Sequence, residues 1–301
     1  MAPITKYPEF SKIDLSHRQP VNEFTASFEP YSDFNFTSLF CWNTDGQTEL
    51  SDLNGNLVIK LPDYLTGDPV FSILGRSELG KSVSQLLETA KELKLVPAPV
   101  VGELRALDGL SIEEDRDSFD YIYELSELSR LSGMKFKKKR NKTNSFVRAH
   151  EDYELVVEGH NTISPAYADK LRELDRKWAS DASRNQGDIM SERRALDILL
   201  KNAAHFKLLV VEITVDGDMK AFSINEDIGG GYAMCHFEKA LKVHHENIYT
   251  FLASETAEKV QALGCKYVNW EQDLGLEGLR KSKISFHPSR MLKKYTVQLA
   301  G

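Results

Sequence analysis

The sequence predicts a mixed α/β protein of two successive domains with largely antiparallel sheets. Three observations lead there. The chain has 301 residues, enough for two domains of ordinary size. Strand-like and helix-like runs alternate along it instead of segregating. Two pairs of strand-like runs are joined by two-residue hairpin signals, Asn54-Gly55 and Asp216-Gly217. The division is placed near the turn after Glu158, giving domains 1–160 and 161–301.

The elements follow in order. FNFTSLFCW, Phe34–Trp42, is an apolar cluster that reads as a buried helix or turn. ELSDLNGNLVIKLP is the first hairpin, and Pro69–Gly75 reads as a buried strand. Leu79–Leu95 reads as one helix, with Leu86, Leu87, Ala90, Leu93 and Leu95 as its apolar positions and Pro97 and Pro99 ending it. Val100–Leu110 reads as a strand and turn, and Ser111–Asp120 as an exposed acidic stretch. A short helix, Glu124–Leu131, is closed by Gly133. A basic run follows, MKFKKKRNKTNSFVRAH; as a helix it turns Arg140 inward with Phe136, Thr143 and Val147. Arg140 should then pair with a carboxylate or a ligand, while Lys137, Lys138 and Lys142 point elsewhere. Tyr153–Glu158 is a strand, and helices are expected over Pro165–Ser180 and about Asp188–Ala204. The second hairpin, a Gly229-Gly230-Gly231 turn, the strand YAMCHFEKA, a helix Asn247–Leu263 and a last strand Lys294–Leu299 complete the chain.

Composition excludes several classes. A net charge of −7 argues against indiscriminate nucleic-acid binding and leaves room for a local basic patch. Cys41, Cys235 and Cys265 lie far apart with no CxxC spacing, which fits a reducing cytoplasm and gives no zinc site. No apolar run approaches transmembrane length, and the first residues lack a secretory pattern. A cytoplasmic protein is expected. His244-His245 beside Glu246 has no spaced partner, so no metal is expected, and no Ser-His-Asp constellation can be built from spacing.

Two stretches carry candidate chemistry. GRSELGKS, Gly75–Ser82, matches a phosphate-binding loop between a strand and a helix. Glu78 inside it would repel phosphate, so its glycines read better as turn residues. The other stretch is YVNWEQDLGLEGLRKSKISFHP, Tyr267–Pro288, running from a strand end through Asn269, Glu271 and Asp273 into a short basic helix. Polar residues at a strand end and the next helix start line clefts in α/β folds. Leu276, Leu279, Arg280 and Lys283 share one helical face, which reads either as cations snorkelling at the edge of a core stripe or as a cationic pocket.

The second-half order, α-α-β-β-β-α-β-α-β, resembles the acyl-CoA N-acyltransferase (GNAT) arrangement, and the first half could be a degenerate second copy. Acetyl-CoA-dependent members carry a glycine-bearing turn after the fourth strand, whereas this chain has EKALKVHHE from Glu238 to Glu246. Asp120–Phe146, HFEKA at His236–Ala240 and Val268–Pro288 together resemble the C-terminal domain of phosphatidylglycerol lysyltransferases, the DUF2156 group, a tandem-GNAT domain. The motifs that carry the resemblance are Lys139-Arg140-Asn141 with Phe146, and Asn269-x-Glu271-Gln272-Asp273-Leu274-Gly275-x-x-Gly278-Leu279-Arg280-x-x-Lys283. It extends over essentially the whole chain. The best-known members carry a membrane-spanning region before this domain, which is not expected here, and Trp270 stands where a basic or polar residue is common.

The resemblance implies transfer of an aminoacyl group from aminoacyl-tRNA to a hydroxyl or amine of a lipid or small-molecule acceptor. No metal or further cofactor is needed, because the ester is already activated. Asp273 or Glu271 would hold the α-ammonium or act as base, with Arg280 and Lys283 on the ester carbonyl or phosphate. Arg140, Asn141, Glu238, Lys239 and Asn269 would line the substrate cleft. Lys137, Lys138 and Lys142 would contact tRNA phosphates, and peripheral membrane contact is compatible with a lipid acceptor. An acyl-CoA-dependent N-acyltransferase and a non-catalytic metabolite-binding relative are the alternatives.

Overall fold

A computed structural model describes residues 4–63, 66–159, 163–181, 186–241 and 247–300. It contains two seven-stranded mixed sheets, and the chain divides into two compact units. In the first unit the strands are β1 (Ser11–Lys12), β2 (Glu49–Leu53), β3 (Asn56–Pro62), β4 (Pro69–Leu74), β5 (Glu92–Pro97) and β6 (Leu110–Glu114), with helices α1 (Arg18–Thr25), α2 (Phe36–Cys41), α3 (Leu79–Leu87) and α4 (Ala98–Leu104). The second sheet takes β7 (Asp120–Glu124), β8 (Glu154–Gly159), β9 (Leu208–Val215), β10 (Asp218–Gly229), β11 (Tyr232–Ala240), β12 (Tyr267–Asn269) and β13 (Arg290–Leu292). Helices α5 (Leu125–Arg130), α6 (Lys137–Ala149), α7 (Pro165–Asp181), α8 (Gln186–Lys201) and α9 (Ile248–Ala262) belong to that unit; α10 (Glu277–Ile284) and β14 (Lys294–Leu299) follow.

The two sheets repeat one plan. In each, antiparallel strands lead through a crossover helix to a parallel partner: β2-β3-β4-α3-β5 in the first, β9-β10-β11-α9-β12 in the second. The hairpins sit where their sequence puts them. Asn54 and Gly55 both take positive φ, 54° and 80°, the conformation a tight two-residue turn between twisted strands requires. Helix α9 is buried on nearly every side, with Ile248, Phe251, Leu252, Ala253, Ala257 and Val260 all enclosed, so its sequence shows little amphipathic contrast.

Contacts divide the chain differently from a cut at residue 160, and residues 160–162 themselves lie outside the described residues. The first unit comprises 1–121, 271–281 and 291–301; the second comprises 122–270 and 282–290. Strand pairing is the reason. β14 hydrogen-bonds between β5 and β6, whereas β7 pairs antiparallel with β12.

Other expectations need correction. The helix after Gly75 ends at Leu87, and Glu92–Pro97 is a strand in which Leu93 and Leu95 are buried while Lys94 is half-buried. The alternating burial of the four residues Glu92–Leu95 is strand periodicity, which helical counting of the leucines concealed. Ala98–Leu104 is a helix with Pro99 in its first turn, where a missing N–H costs nothing, and the acidic stretch opens as strand β6. The face of α10 is not a core stripe: Leu276 and Leu279 are 43% and 39% exposed, and the helix has no buried residue. Among the described residues no helix is long and apolar enough to cross a membrane.

Candidate functional site

In the second unit, β11 pairs with β10 along its length to Ala240, but its parallel ladder with β12 covers only Tyr232–Met234. β12 ends at Asn269 and the chain turns off at Trp270, so the two strands part as β11 continues. Glu238 stands on that diverging part of β11. Its carboxylate is half-buried and has no hydrogen-bond partner among the described residues. Burial pushes its pKa up to about 7, against the pull of the Lys283 and Lys139 ammonium groups.

Lys139 comes from α6. Burial pushes its pKa down to about 8; Lys142 acts in the same direction and Glu238 opposes. Its Nζ lies 3.3 Å from the centre of the Phe286 ring. Lys283 comes from the end of α10 and donates to the Trp270 carbonyl, while Tyr123 Oη donates 2.8 Å to the Lys283 carbonyl. The Trp270 ring packs against Tyr123 and Phe286 at 4.3 and 5.1 Å between centroids. An aromatic wall therefore fixes two ammonium groups near one unpaired carboxylate. A carboxylate and an amine displaced toward neutral pH in the same place form the pattern that proton-transfer sites show.

The neighbouring Lys239 serves a different purpose. Alternation along a strand sends it to the other face from Glu238. There it is 1% exposed, donates to Glu192, lies 3.8 Å from Asp175 Oδ1 and sits 3.3 Å from the centre of the Trp178 ring. That buried ion pair replaces the cleft-lining role expected for it. Asn269 is fully buried on β12, between Ile122 and Met234.

The first unit holds the acidic residues of the Asn269–Lys283 motif in an arrangement of their own. Asp273 is completely buried and receives five hydrogen bonds: Arg280 Nε and Nη2 at 2.9 and 2.7 Å, Arg116 Nη1 at 3.2 Å, Tyr121 Oη at 2.6 Å and the Gly275 amide at 2.9 Å. Burial alone would raise its pKa, but the bonds from Arg280, Tyr121 and Gly275 hold it below the usual carboxylate range. A carboxylate offers about four lone-pair positions, so Asp273 has none to spare for a base. Arg280 is equally occupied, donating also to Asp117 at 2.5 Å. Glu271 adopts positive φ (55°), and its Oε1 accepts from Ser38 Oγ at 3.4 Å.

Close by in the same unit lies a cluster that the sequence reading missed. Lys294 is completely buried and pairs with Asp33 and, at 2.8 Å, with Asp120; it donates 3.1 Å to Gln272 Oε1. Burial pulls the ammonium pKa down, but the Asp120 and Asp33 charges outweigh it and the net direction is up. Ser32 closes the group through its amide and hydroxyl on Asp120, at 2.8 and 2.7 Å. Partners from four distant parts of the chain meet here, which spacing alone cannot reveal.

The basic run is less uniform than its composition. Arg140 donates to the carbonyls of Leu131 and, at 2.6 Å, Gly133. Leu131 takes left-handed φ (46°) as α5 ends. Arg140 thus satisfies carbonyls left over at a helix end, where a carboxylate or a ligand was the expected partner. Asn141, Lys137, Lys138 and Lys142 are exposed on α6. Lys139, the residue the expected site omitted, was within the quoted motif; at 100° per residue it falls on the side of the buried Phe146, a signal available from the helical wheel.

The loop at Gly75 cradles its own side chain. Asn56 Oδ1 accepts from the Ser77 amide at 3.0 Å, and its Nδ2 donates to Ser77 O, Leu53 O and Ser82 Oγ. A Cβ on Gly75 would stand 2.0 Å from Asn56 Oδ1, so glycine is needed to admit the asparagine. Lys81 is tied to Glu78 at 3.0 Å. The amide and lysine that a phosphate would need are already in use. His244-His245 and most of the segment expected to meet an acyl-CoA pyrophosphate lie outside the described residues.

The family profile described as phosphatidylglycerol lysyltransferase, C-terminal, matches residues 25–298. A conserved protein of unknown function from Bacteroides thetaiotaomicron is 29% identical, with a TM-score of 0.82 over 97% of this chain and 99% of that one. L-PGS from Bacillus licheniformis superposes with a TM-score of 0.61 at 15% identity, covering 99% and 94% of the two chains. A tandem GNAT protein of the clavulanic acid biosynthesis pathway gives 0.50 at 12% identity, covering 96% and 97%. No curated protein matches.

Proposed function

The chain belongs to the family of phosphatidylglycerol lysyltransferase C-terminal domains, acyltransferases of the GNAT type, and on that premise we propose that it transfers an aminoacyl group from aminoacyl-tRNA to a hydroxyl or amine of a lipid or small-molecule acceptor. The observation that carries this reading is Glu238: a half-buried carboxylate without a hydrogen-bond partner among the described residues, its pKa pushed up to about 7 by burial against the pull of the Lys283 and Lys139 ammonium groups, where β11 and β12 part. Acyl transfer from an ester needs those two kinds of group and no redox chemistry.

In this reading Glu238 takes the proton of the attacking hydroxyl or neutral amine. The acceptor's lone pair forms the new bond to the ester carbonyl carbon, and the tetrahedral oxyanion develops beside Lys139 and Lys283. Collapse breaks the bond to the ribose oxygen, which recovers the proton from Glu238. Lys283 is oriented through the Trp270 carbonyl and Tyr123, so its ammonium is fixed before the acceptor arrives. Asp273 and Arg280 act as a rigid clamp in the first unit. Aminoacyl-tRNA serves as co-substrate and no further cofactor enters the scheme.

Incubation with a pool of labelled aminoacyl-tRNAs and cell extract, followed by mass identification of the labelled product, tests the proposal. Label entering a lipid or small molecule, and lost in Glu238→Gln, supports it. Failure of every charged tRNA with every acceptor overturns it. Turnover with an acyl-CoA would favour the acyl-CoA alternative, and tight metabolite binding without turnover would favour a non-catalytic relative.

A further inference from the structure

The buried Lys239 network ends on a tyrosine. Lys239 Nζ sits over the Trp178 ring, 3.3 Å from its centre, and holds the indole in place. Trp178 Nε1 donates 3.0 Å to Tyr249 Oη, and the Ala240 backbone amide bonds to the same oxygen. Tyr249 is half-buried in the first turn of α9. The Leu241 amide donates back to Lys220 of β10 at 3.0 Å. The preceding amide, that of Ala240, therefore points the other way, into the gap that opens where β12 ends. Tyr249 Oη thus lies at the same gap as Glu238. Burial pushes the phenol up to about 12; the Glu238 and Glu192 charges add to the rise, and the Ala240 amide and Trp178 oppose it.

We infer that Tyr249 is the general acid of the transfer and protonates the ribose oxygen as it departs. The inference rests on the aminoacyl-tRNA reading and names the group that completes its second half. Acyl transfer from an ester needs a base at the attacking atom and an acid at the leaving one. Glu238 serves the first. A tyrosine hydroxyl has one proton to give and lone pairs to accept with. Two N–H groups aim at this oxygen, so toward them it is an acceptor, and its proton is what it offers. The same two donors stabilise the phenolate left behind, as N–H groups do at a developing oxyanion. The protons balance. Glu238 takes one from the acceptor, the carbon–oxygen bond to the ribose breaks with its electron pair on oxygen, and that oxygen takes the Tyr249 proton. The Glu238 carboxyl then returns its proton to the phenolate, the far stronger base, so the acceptor's proton reaches the ribose by way of Tyr249. Lys239, too deeply buried to meet a substrate, acts through Trp178 as a positioning residue.

The test compares two donors of the same labelled amino acid, aminoacyl-tRNA and the p-nitrophenyl ester, on the full chain and its Tyr249→Phe variant. Cell extract supplies the acceptor, and the rate is label entering product above an enzyme-free blank. Nitrophenolate leaves without a proton, whereas a ribose oxygen needs one. Tyr249→Phe should therefore lower kcat with aminoacyl-tRNA by about 10²–10⁴ and with the nitrophenyl ester by less than about tenfold. A loss with aminoacyl-tRNA that does not exceed the nitrophenyl loss by about tenfold overturns the inference and leaves Tyr249 a packing residue. Trp178→Phe removes one N–H and keeps the hydroxyl. It should lose less, again more with aminoacyl-tRNA than with the nitrophenyl ester, and equal losses overturn the inference; this variant carries the comparison should urea unfolding show that Tyr249→Phe does not fold. If wild type takes aminoacyl-tRNA alone, Tyr249→Phe must lose at least about 100-fold in kcat at unchanged KM, and any smaller loss overturns the inference. If wild type does not use aminoacyl-tRNA, the transferase reading itself falls, whatever the variants do.

Discussion

Glu238→Gln should make the protein more stable and less active, and the stability change should depend on pH. Burial raises this carboxyl from its ordinary 4.5 to about 7. At 1.36 kcal/mol per pKa unit, that corresponds to about 3 kcal/mol of ionisation cost in the folded state at alkaline pH. The sign follows from proton binding. Between pH 4.5 and 7 the folded protein binds this proton more tightly than the unfolded chain does, so stability falls as pH rises through that window. Glutamine has no such term. Denaturant unfolding of both proteins at pH 4, 6 and 8 should show no advantage for the variant at pH 4, a growing one at pH 6 and up to about 3 kcal/mol at pH 8. Transfer should fall by about 10²–10⁴, the usual worth of a general base, with no unfolding to account for it. A variant less stable at pH 8 than wild type, or a difference flat across pH, would refute the argument that the carboxylate is desolvated and unpaired.

Three further outcomes are expected. The transfer rate should rise with pH through about 7, as Glu238 deprotonates, and decline above about 8, as Lys139 loses its charge; a pH–rate profile with saturating substrates checks this. Lys294→Met should destabilise the first unit by about 3–5 kcal/mol, because it leaves the Asp33 and Asp120 carboxylates buried without their cation; urea unfolding reads it. Gly75→Ala should cost about 1–3 kcal/mol by displacing the Asn56 side chain, and wild type should show no ATP binding by calorimetry, since Asn56 holds the loop amide.

The sequence by itself determined the local elements that have strong local causes. Asn54-Gly55 and Asp216-Gly217 made hairpins because their turns need positive φ, and Lys294–Leu299 alternates as a strand must. The family motif was legible too, and with it the fold. Where two periods compete in a short apolar run, as in Leu79–Leu95, only the pairing of β5 with β14 and β4 decided for strand. The candidate site was half legible. Glu238 and Lys283 could be named from the motifs, but their chemistry could not, because a pKa depends on which side chains and how much water surround a group. Asp273 shows the converse. The sequence offered it as a base or an ion-pair partner, and the tertiary structure brings Arg116, Tyr121, Arg280 and the Gly275 amide onto one carboxylate. Which residues share a neighbourhood across 150 positions is a property of the folded chain, and with it goes every charge they perturb.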